Sequence, residues 1–109
     1  MPNVFNMPQR VKIGAINWHV EQASHDLQLE ELRGHTLPAL RTMRVDETMP
    51  LSLQQETLLH EVLHALSVPL DNDQQLTEQQ VRHTAAYLMQ IFTDNPRLRE
   101  FLFQEEDDA

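Results

Sequence analysis

The chain has no cysteine among its 109 residues. This absence excludes a disulfide framework and any zinc site built from cysteine ligands, so cross-links cannot offset the small size of the protein. A chain of this length forms one domain with a single modest hydrophobic core. We therefore expect one domain over residues 1–104 and a disordered acidic tail over residues 105–109.

Basic residues are also scarce, with eight Lys and Arg against 17 Asp and Glu and a formal net charge of −9. Nucleic-acid binding relies on Lys and Arg to neutralise phosphates, so the composition argues against that partner and favours a cation as ligand. The N-terminus, MPNVFNMPQRVKIG, has no long apolar run after a basic segment, and no window approaches the length of a transmembrane helix. We expect a soluble, cytoplasmic protein without a membrane partner.

The first half of the chain carries short runs of residues that favour β-strands. RVKIGAINWHVEQ alternates roughly around Gly14, which predicts a hairpin or a bent pair of strands. SHDLQLEELRGHTLP fits either a short helix ended by Gly34 or a loop with some strand. LRTMRV, with Met43 and Val45 on one side, predicts a strand at a sheet edge, where charged residues are tolerated.

The second half is helical and begins with a capping box. Pro50 and Ser52 precede LQQETLLHEVLHALS, and Ser52 has Gln55 three residues later. This signature predicts a helix that starts near Leu53 and stops before Pro69.

A second capping box, Thr77 with Gln80, predicts another helix that ends around Asp94. Its sequence, EQQVRHTAAYLMQIF, places apolar residues along one face. Asn95 followed by Pro96 then predicts the cap and first position of a short third helix. Together these patterns predict an α+β fold in which a short, twisted antiparallel sheet packs on the two long helices.

The first long helix contains His-Glu-x-x-His, in the segment TLLHEVLHAL. Residues four apart share a helix face, so His60 and His64 can direct both imidazoles at one metal ion. Glu61 lies about 100° further round, where it misses the ion but can reach a water bound to it. Zinc lowers the pKa of such a water, and a carboxylate can take its proton and pass it to a leaving amine. The motif therefore indicates metal-assisted hydrolysis.

The opposite arc of the same helix is apolar. It is formed by Leu58, Leu59, Val62, Leu63, Ala65 and Leu66. The two histidines and Glu61 therefore face away from the buried side, which argues against histidines held within the core. An ordinary solvated polar face is the alternative interpretation of the motif.

A catalytic zinc site has three protein ligands and one open position, whereas a structural site is closed by four. Downstream of the motif, the candidates for the third ligand are Asp71, Asp73, Glu78 and His83. On the helical wheel Glu78 lies beside the apolar arc and points toward the first helix, whereas His83 points away. The helix dipole also favours a carboxylate in the first turn, which by itself would explain Glu78. We favour Glu78, with Asp71 or Asp73 in the intervening loop as alternatives.

The segments TLLHEVLHAL, TEQQVRHTAAYLMQIF and DNPRL resemble the small HExxH metallopeptidase-like proteins of bacteriophages and prophages, which are similar to minimal gluzincins. The resemblance covers residues 53–98 strongly and the leading VKIG, WHVE and LRTMRV segments more loosely. It implies a minimal zincin-like domain in the cytoplasm of a bacterial host. The implied zinc ligands are His60, His64 and Glu78, and the implied general base is Glu61. An edge strand over residues 41–45 would align an extended peptide beside the site.

Two functions are compatible with these features. The first is a zinc metalloendopeptidase that hydrolyses a peptide or protein substrate by attack of a Glu61-activated water. The alternative is a non-enzymatic, phage-encoded binding or inhibitory module in which zinc only holds the two helices together. A structural site should melt when zinc is chelated, whereas a catalytic site should lose activity with a modest drop in melting temperature.

Overall fold

The computed structural model describes residues 5–30, 32–69 and 74–105. In chain order the elements are β1 (Arg10–Ile13), β2 (Ile16–Ala23), α1 (His25–Leu29), β3 (Gly34–Leu37), a 3-10 turn (Pro38–Leu40), β4 (Thr42–Asp46), α2 (Leu51–Ser67), α3 (Glu78–Asp94) and α4 (Pro96–Leu102). The expected α+β class is confirmed. The two interpretations of residues 24–38 are each correct in part, because a short helix is present as α1 but ends at Leu29, and Gly34 begins the strand β3. Most of the tail expected over residues 105–109 lies outside the described residues.

The sheet has four strands in the order β1-β2-β4-β3. The hairpin of β1 and β2 turns at Gly14, whose φ of 60° is a conformation that favours glycine. β4 pairs antiparallel with β3 but parallel with β2, so the expected all-antiparallel sheet is wrong. The chain leaves β2 through α1 and enters a β3–β4 hairpin, which lays β4 beside β2 in the same direction. β4 is therefore an interior strand, and the expected edge strand over residues 41–45 is wrong.

The start of α2 differs from the capping-box expectation. The helix begins at Leu51 after Pro50, and no side chain caps it, so Ser52 already lies inside the first turn. The buried Gln54 side chain instead anchors this end, because its Nε2 donates to the carbonyls of Met49 at 2.7 Å and Glu47 at 3.1 Å.

The capping box of α3 is confirmed. The Gln80 amide donates to Thr77 Oγ1 at 3.1 Å, and the Thr77 amide donates to Gln80 Oε1 at 2.9 Å. The third helix begins at Pro96 as expected, but the Asn95 side chain does not cap it. Asn95 Nδ2 donates backward to the Ile91 carbonyl at 2.8 Å.

The helix α2 lies between the sheet and α3 and contributes to two apolar clusters. On one side Ala65 packs with Trp18 and Met43 of the sheet. On the other side Leu63 packs with Val81 and Ala85 of α3, both fully buried. The polar face of α2 is therefore left at the junction of β3, α2 and the start of α3. No helix in the described ranges is long and apolar enough to cross a membrane.

Candidate metal centre

The two histidines of the motif lie on adjacent turns of α2 and face the same space. Their ring centroids are 4.9 Å apart, and the Nε2 atoms of His60 and His64 approach to 3.2 Å. Both side chains are partly exposed, at 19% and 27%. The helical spacing of four residues thus produces a pair of imidazoles with their outer nitrogens together, as the sequence predicted.

Glu78 reaches the same point from α3. Its Oε1 lies 2.8 Å from His60 Nε2, and its Oε2 lies 2.7 Å from His64 Nε2. The position of this carboxylate follows from the capping box, since Thr77 is the N-cap and Glu78 is the first residue of the helix.

Of the other candidate ligands, only His83 lies within the described residues, and it is not part of this group. His83 lies on α3, where its ring contacts Tyr87 with centroids 4.6 Å apart. Asp71 and Asp73 lie outside the described residues.

The three side chains fit a zinc ion. His60, His64 and Glu78 each offer a ligand atom, and these atoms lie within 4.8 Å of one another. Tetrahedral zinc with its usual bond lengths separates neighbouring ligand atoms by about 3.3 Å. The two Nε2 atoms are 3.2 Å apart, whereas the Glu78 oxygens lie at hydrogen-bond distances of 2.7 and 2.8 Å and would move outward by about half an ångström to share an ion. Two imidazoles and one carboxylate also form a donor set that suits zinc. If the three described residues are the protein ligands, one position of a tetrahedral ion would be open, and the Glu78 side chain is more than half exposed.

Glu61 lies beside this group but is buried, with 5% exposure. The sequence placed it on the open polar face of α2, whereas in the structure β3 covers it. Thr36 Oγ1 donates to Glu61 Oε1 at 2.7 Å and also lies 3.3 Å from the Glu61 carbonyl oxygen. A hydroxyl on the neighbouring strand therefore fixes the orientation of the carboxylate.

Gly34 allows β3 to approach this closely. A Cβ atom at this position would lie 2.7 Å from Thr57 Cγ2 and 2.9 Å from Glu61 Oε2. The sequence does not predict the roles of Gly34 and Thr36, because it is compatible with Gly34 either at the end of a helix or within a loop with some strand. The position of Gly34 after a run of leucines carries no signal for contact with a residue 27 positions later.

The environment of Glu61 changes its acidity. Burial raises the pKa of the Glu61 carboxyl, against the smaller lowering effects of the Thr36 hydrogen bond and of the His60 and His64 imidazoles. The net direction is upward, which brings the group toward the range in which a carboxylate accepts a proton efficiently near neutral pH.

A cleft surrounds the group and has the edge strand β3 as one wall. It consists of two cavities of about 480 and 420 Å³, and His60, Glu61 and Glu78 line both of them. His60, Glu61 and Glu78 therefore lie where the two cavities of the cleft meet.

The chain was also compared with known proteins. No family model matches it, and no curated protein or solved structure is significantly similar to it. The resemblance to small HExxH metallopeptidase-like proteins therefore stays a prediction based on the sequence motifs.

Proposed function

We propose that this protein is a zinc-dependent peptidase. In this proposal His60, His64 and Glu78 hold the ion, and Glu61 acts as the general base in hydrolysis of a peptide bond. The observation that supports it is the convergence of two imidazole nitrogens and one carboxylate next to a second, buried carboxylate in an open cleft.

The chemistry divides between the ion and the side chains. Zinc, when bound, acidifies a coordinated water and polarises a carbonyl. Glu61 accepts a proton from the attacking water and delivers it to the leaving amine. Thr36 holds the Glu61 carboxylate in one orientation, so that it does not have to be ordered during the reaction.

The sheet provides a place for the substrate backbone. β3 forms the edge of the sheet next to α2, and an extended peptide can pair with its outer side as an added strand. This strand takes the role that the resemblance implied for residues 41–45. We therefore propose that the substrate is an extended segment of a peptide or protein.

The metal site is tested by zinc analysis of purified variants. We expect wild-type protein to contain about one zinc per chain, and His60→Ala, His64→Ala and Glu78→Ala to lose it. His83→Ala is a matched control, because His83 lies on α3 away from the ligand group. Retention of zinc by His60→Ala, or its loss in His83→Ala, would contradict the assignment.

The general base is tested separately. We expect Glu61→Gln to retain zinc and to lose peptidase activity by about 100-fold or more, the usual size of a general-base contribution. Cleavage at the wild-type rate by this variant, with zinc saturating, would eliminate the role of Glu61.

The alternative function is a binding or inhibitory module with a structural zinc. One observation favours it: the two histidines lie on α2 and Glu78 lies on α3, so a bound ion would connect the two helices. Against it, Leu63, Val81 and Ala85 already pack these helices together. The partly exposed site also differs from the closed four-ligand arrangement of structural zinc.

A further inference from the structure

The two cavities of the cleft differ in the charged residues that line them. We name the larger one the apolar half after Pro38, Val68 and Leu76 in its own lining, which also includes the uncharged polar Ser67 and Gln75. We name the smaller one the arginine half; its own lining includes Arg33 and Arg82, together with Glu56. Apart from Glu61 and Glu78, which line both cavities, the apolar half has no Asp, Glu, Lys or Arg among its described lining residues.

The two arginines stand on opposite walls of the arginine half. Arg33 directly precedes the edge strand β3, and Arg82 lies one turn after Glu78 on α3. Within the described residues neither guanidinium donates a hydrogen bond, and the nearest acidic contact of Arg82 is Glu78 Oε1 at 3.9 Å. Arg33 and Arg82 thus line one cavity, and no acceptor among the described residues lies at hydrogen-bond distance from either guanidinium.

Two arginines at one cavity are unusual in a protein with so few basic residues. The chain carries a formal charge of −9, and its eight Lys and Arg residues are outnumbered two to one by Asp and Glu. Arg33 and Arg82 share this cavity with the carboxylates of Glu56, Glu61 and Glu78, and the two guanidinium groups are its permanently charged cations among the described lining residues. Guanidinium groups bind carboxylates through paired hydrogen bonds, which makes a carboxylate the ligand that this pair of arginines fits.

The direction of β3 relates each half of the cleft to one side of a bound peptide. Antiparallel pairing is the more stable arrangement for an added strand, so a peptide on β3 runs from Pro38 toward Arg33. Residues before the scissile bond then lie in the apolar half, and residues after it lie in the arginine half.

We propose that Arg33 and Arg82 form a carboxylate-binding subsite on the C-terminal side of the scissile bond, with an uncharged, apolar side chain accepted on the N-terminal side. This inference rests on the proposed peptidase function. The carboxylate is either the side chain of an Asp or Glu in the substrate or the C-terminus of a peptide.

The experiment uses zinc-loaded protein and matched fluorogenic peptides with leucine before the scissile bond. One pair carries Glu or Gln within two residues after the bond, and a second pair ends in a free or an amidated C-terminus. We expect at least one carboxylate peptide to have a KM about tenfold or more below that of its neutral partner, with the difference reduced at high salt. The pair that discriminates identifies the source of the carboxylate.

Variants then assign the preference to the arginines. Arg33→Gln and Arg82→Gln should each raise KM for the carboxylate peptide about tenfold without changing KM for the neutral one. Arg82→Lys should retain part of the preference, and Lys12→Gln, on the opposite edge of the sheet, should retain all of it. Zinc content of each variant checks that Glu78, next to Arg82, still holds the ion.

Binding provides a readout that does not depend on turnover. Fluorescence anisotropy of the same peptides with Glu61→Gln protein should show the same tenfold preference and its loss in the arginine variants. If the wild type cleaves nothing but binding shows the preference, the peptidase proposal fails and the subsite stands. If peptides are cleaved without any carboxylate preference, or the preference survives in the Arg33→Gln, Arg82→Gln double variant, the subsite is wrong and the peptidase proposal stands.

Discussion

Glu61 is a carboxylate that the fold buries between α2 and β3 with one side-chain hydrogen bond, from Thr36. Burial raises the pKa of Glu61, so keeping this carboxylate ionised at neutral pH lowers the stability of the folded protein. Such a conflict between stability and local chemistry is typical of active-site groups. Two predictions follow from the surroundings of this residue.

Glu61→Gln should stabilise the protein in chelating buffer at neutral pH. Because folding raises the pKa of Glu61, protonation of its carboxyl stabilises the folded state. This contribution to stability is fully present below the unfolded pKa and is lost as pH rises through the folded pKa. Glutamine does not titrate, so the melting temperature of the variant should exceed that of wild type at pH 7.5, and by less at pH 4.5. Calorimetry across this range measures the gap. Glu100→Gln, on the exposed face of α4, is the control, and an equal gap at every pH would contradict the prediction.

Thr36→Val should lower kcat about tenfold or more while leaving zinc content unchanged. The variant keeps the shape of the side chain but removes the 2.7 Å hydrogen bond to Glu61 Oε1, and a bond to a charged acceptor contributes about 1.5–3 kcal/mol. Thr36→Ser retains the hydroxyl and should recover most of the activity. Thr93→Val, near the end of α3, controls for loss of a hydroxyl elsewhere. A rise in KM with unchanged kcat would instead assign Thr36 to substrate binding.

The start of α3 determines the position of Glu78, the third candidate ligand. The capping box of Thr77 and Gln80 fixes the first turn, and Glu78 is the first residue in that turn. A carboxylate here is also stabilised by the helix dipole, so the structural explanation of Glu78 and its role as a ligand are compatible.

Thr77→Ala should therefore reduce both stability and zinc affinity. Loss of an N-cap side chain costs about 1 kcal/mol, and a frayed first turn holds Glu78 less firmly beside His60 and His64. We expect zinc affinity to fall several-fold in a chelator competition titration. Thr93→Ala, in the last turns of the same helix, should leave the affinity unchanged. Reduced stability with wild-type affinity would show that the cap does not position Glu78.

The elements that the sequence predicted well are those specified by local signals. The box of Thr77 and Gln80, the helical period of α2 and the spacing of His60 and His64 each involve residues within one or two turns of one another. The box of Ser52 and Gln55 has the same pattern but is not used. With Pro50 at the N-cap, the helix starts two residues earlier than expected, and the buried Gln54 side chain holds that end of the helix.

The features that the sequence did not predict depend on contacts between distant segments. Strand propensity in LRTMRV is the same whether the strand is at the edge or inside the sheet, and only the crossover through α1 makes β4 an interior strand. The contact of Thr36 with Glu61 joins residues 25 positions apart. Its existence depends on β3 crossing α2 at Gly34, which no local pattern near either residue indicates.

The net negative charge of the whole molecule favours the binding of a metal ion. A formal charge of −9 on a small domain attracts cations over long range and opposes the approach of acidic ligands. Zinc would offset part of the negative charge where Glu61 and Glu78 lie close together. In the proposed substrate cleft, Arg33 and Arg82 provide the two guanidinium groups that would bind the carboxylate of an acidic substrate.

Removal of zinc tests whether the ion holds the fold together. The interface of α2 and α3 contains Leu63 with the fully buried Val81 and Ala85, so these helices stay packed without the ion. We expect chelation to abolish peptidase activity and to lower the melting temperature by several degrees, as loss of a ligand that binds only the folded state requires. The far-UV circular dichroism at 25 °C should remain that of the folded protein.

Val81→Ala should weaken the packing between α2 and α3 while leaving zinc bound, which is the reverse of chelation. Truncation in this interface should cost about 1–3 kcal/mol without removing zinc, because Val81 is not a ligand and the cavity that it leaves lies away from the cleft. If α3 is instead held by the ion, chelation should unfold wild-type protein at 25 °C. That result would favour the non-enzymatic module with a structural zinc over the peptidase, because the metal would then be a component of the core and not a reagent in the cleft.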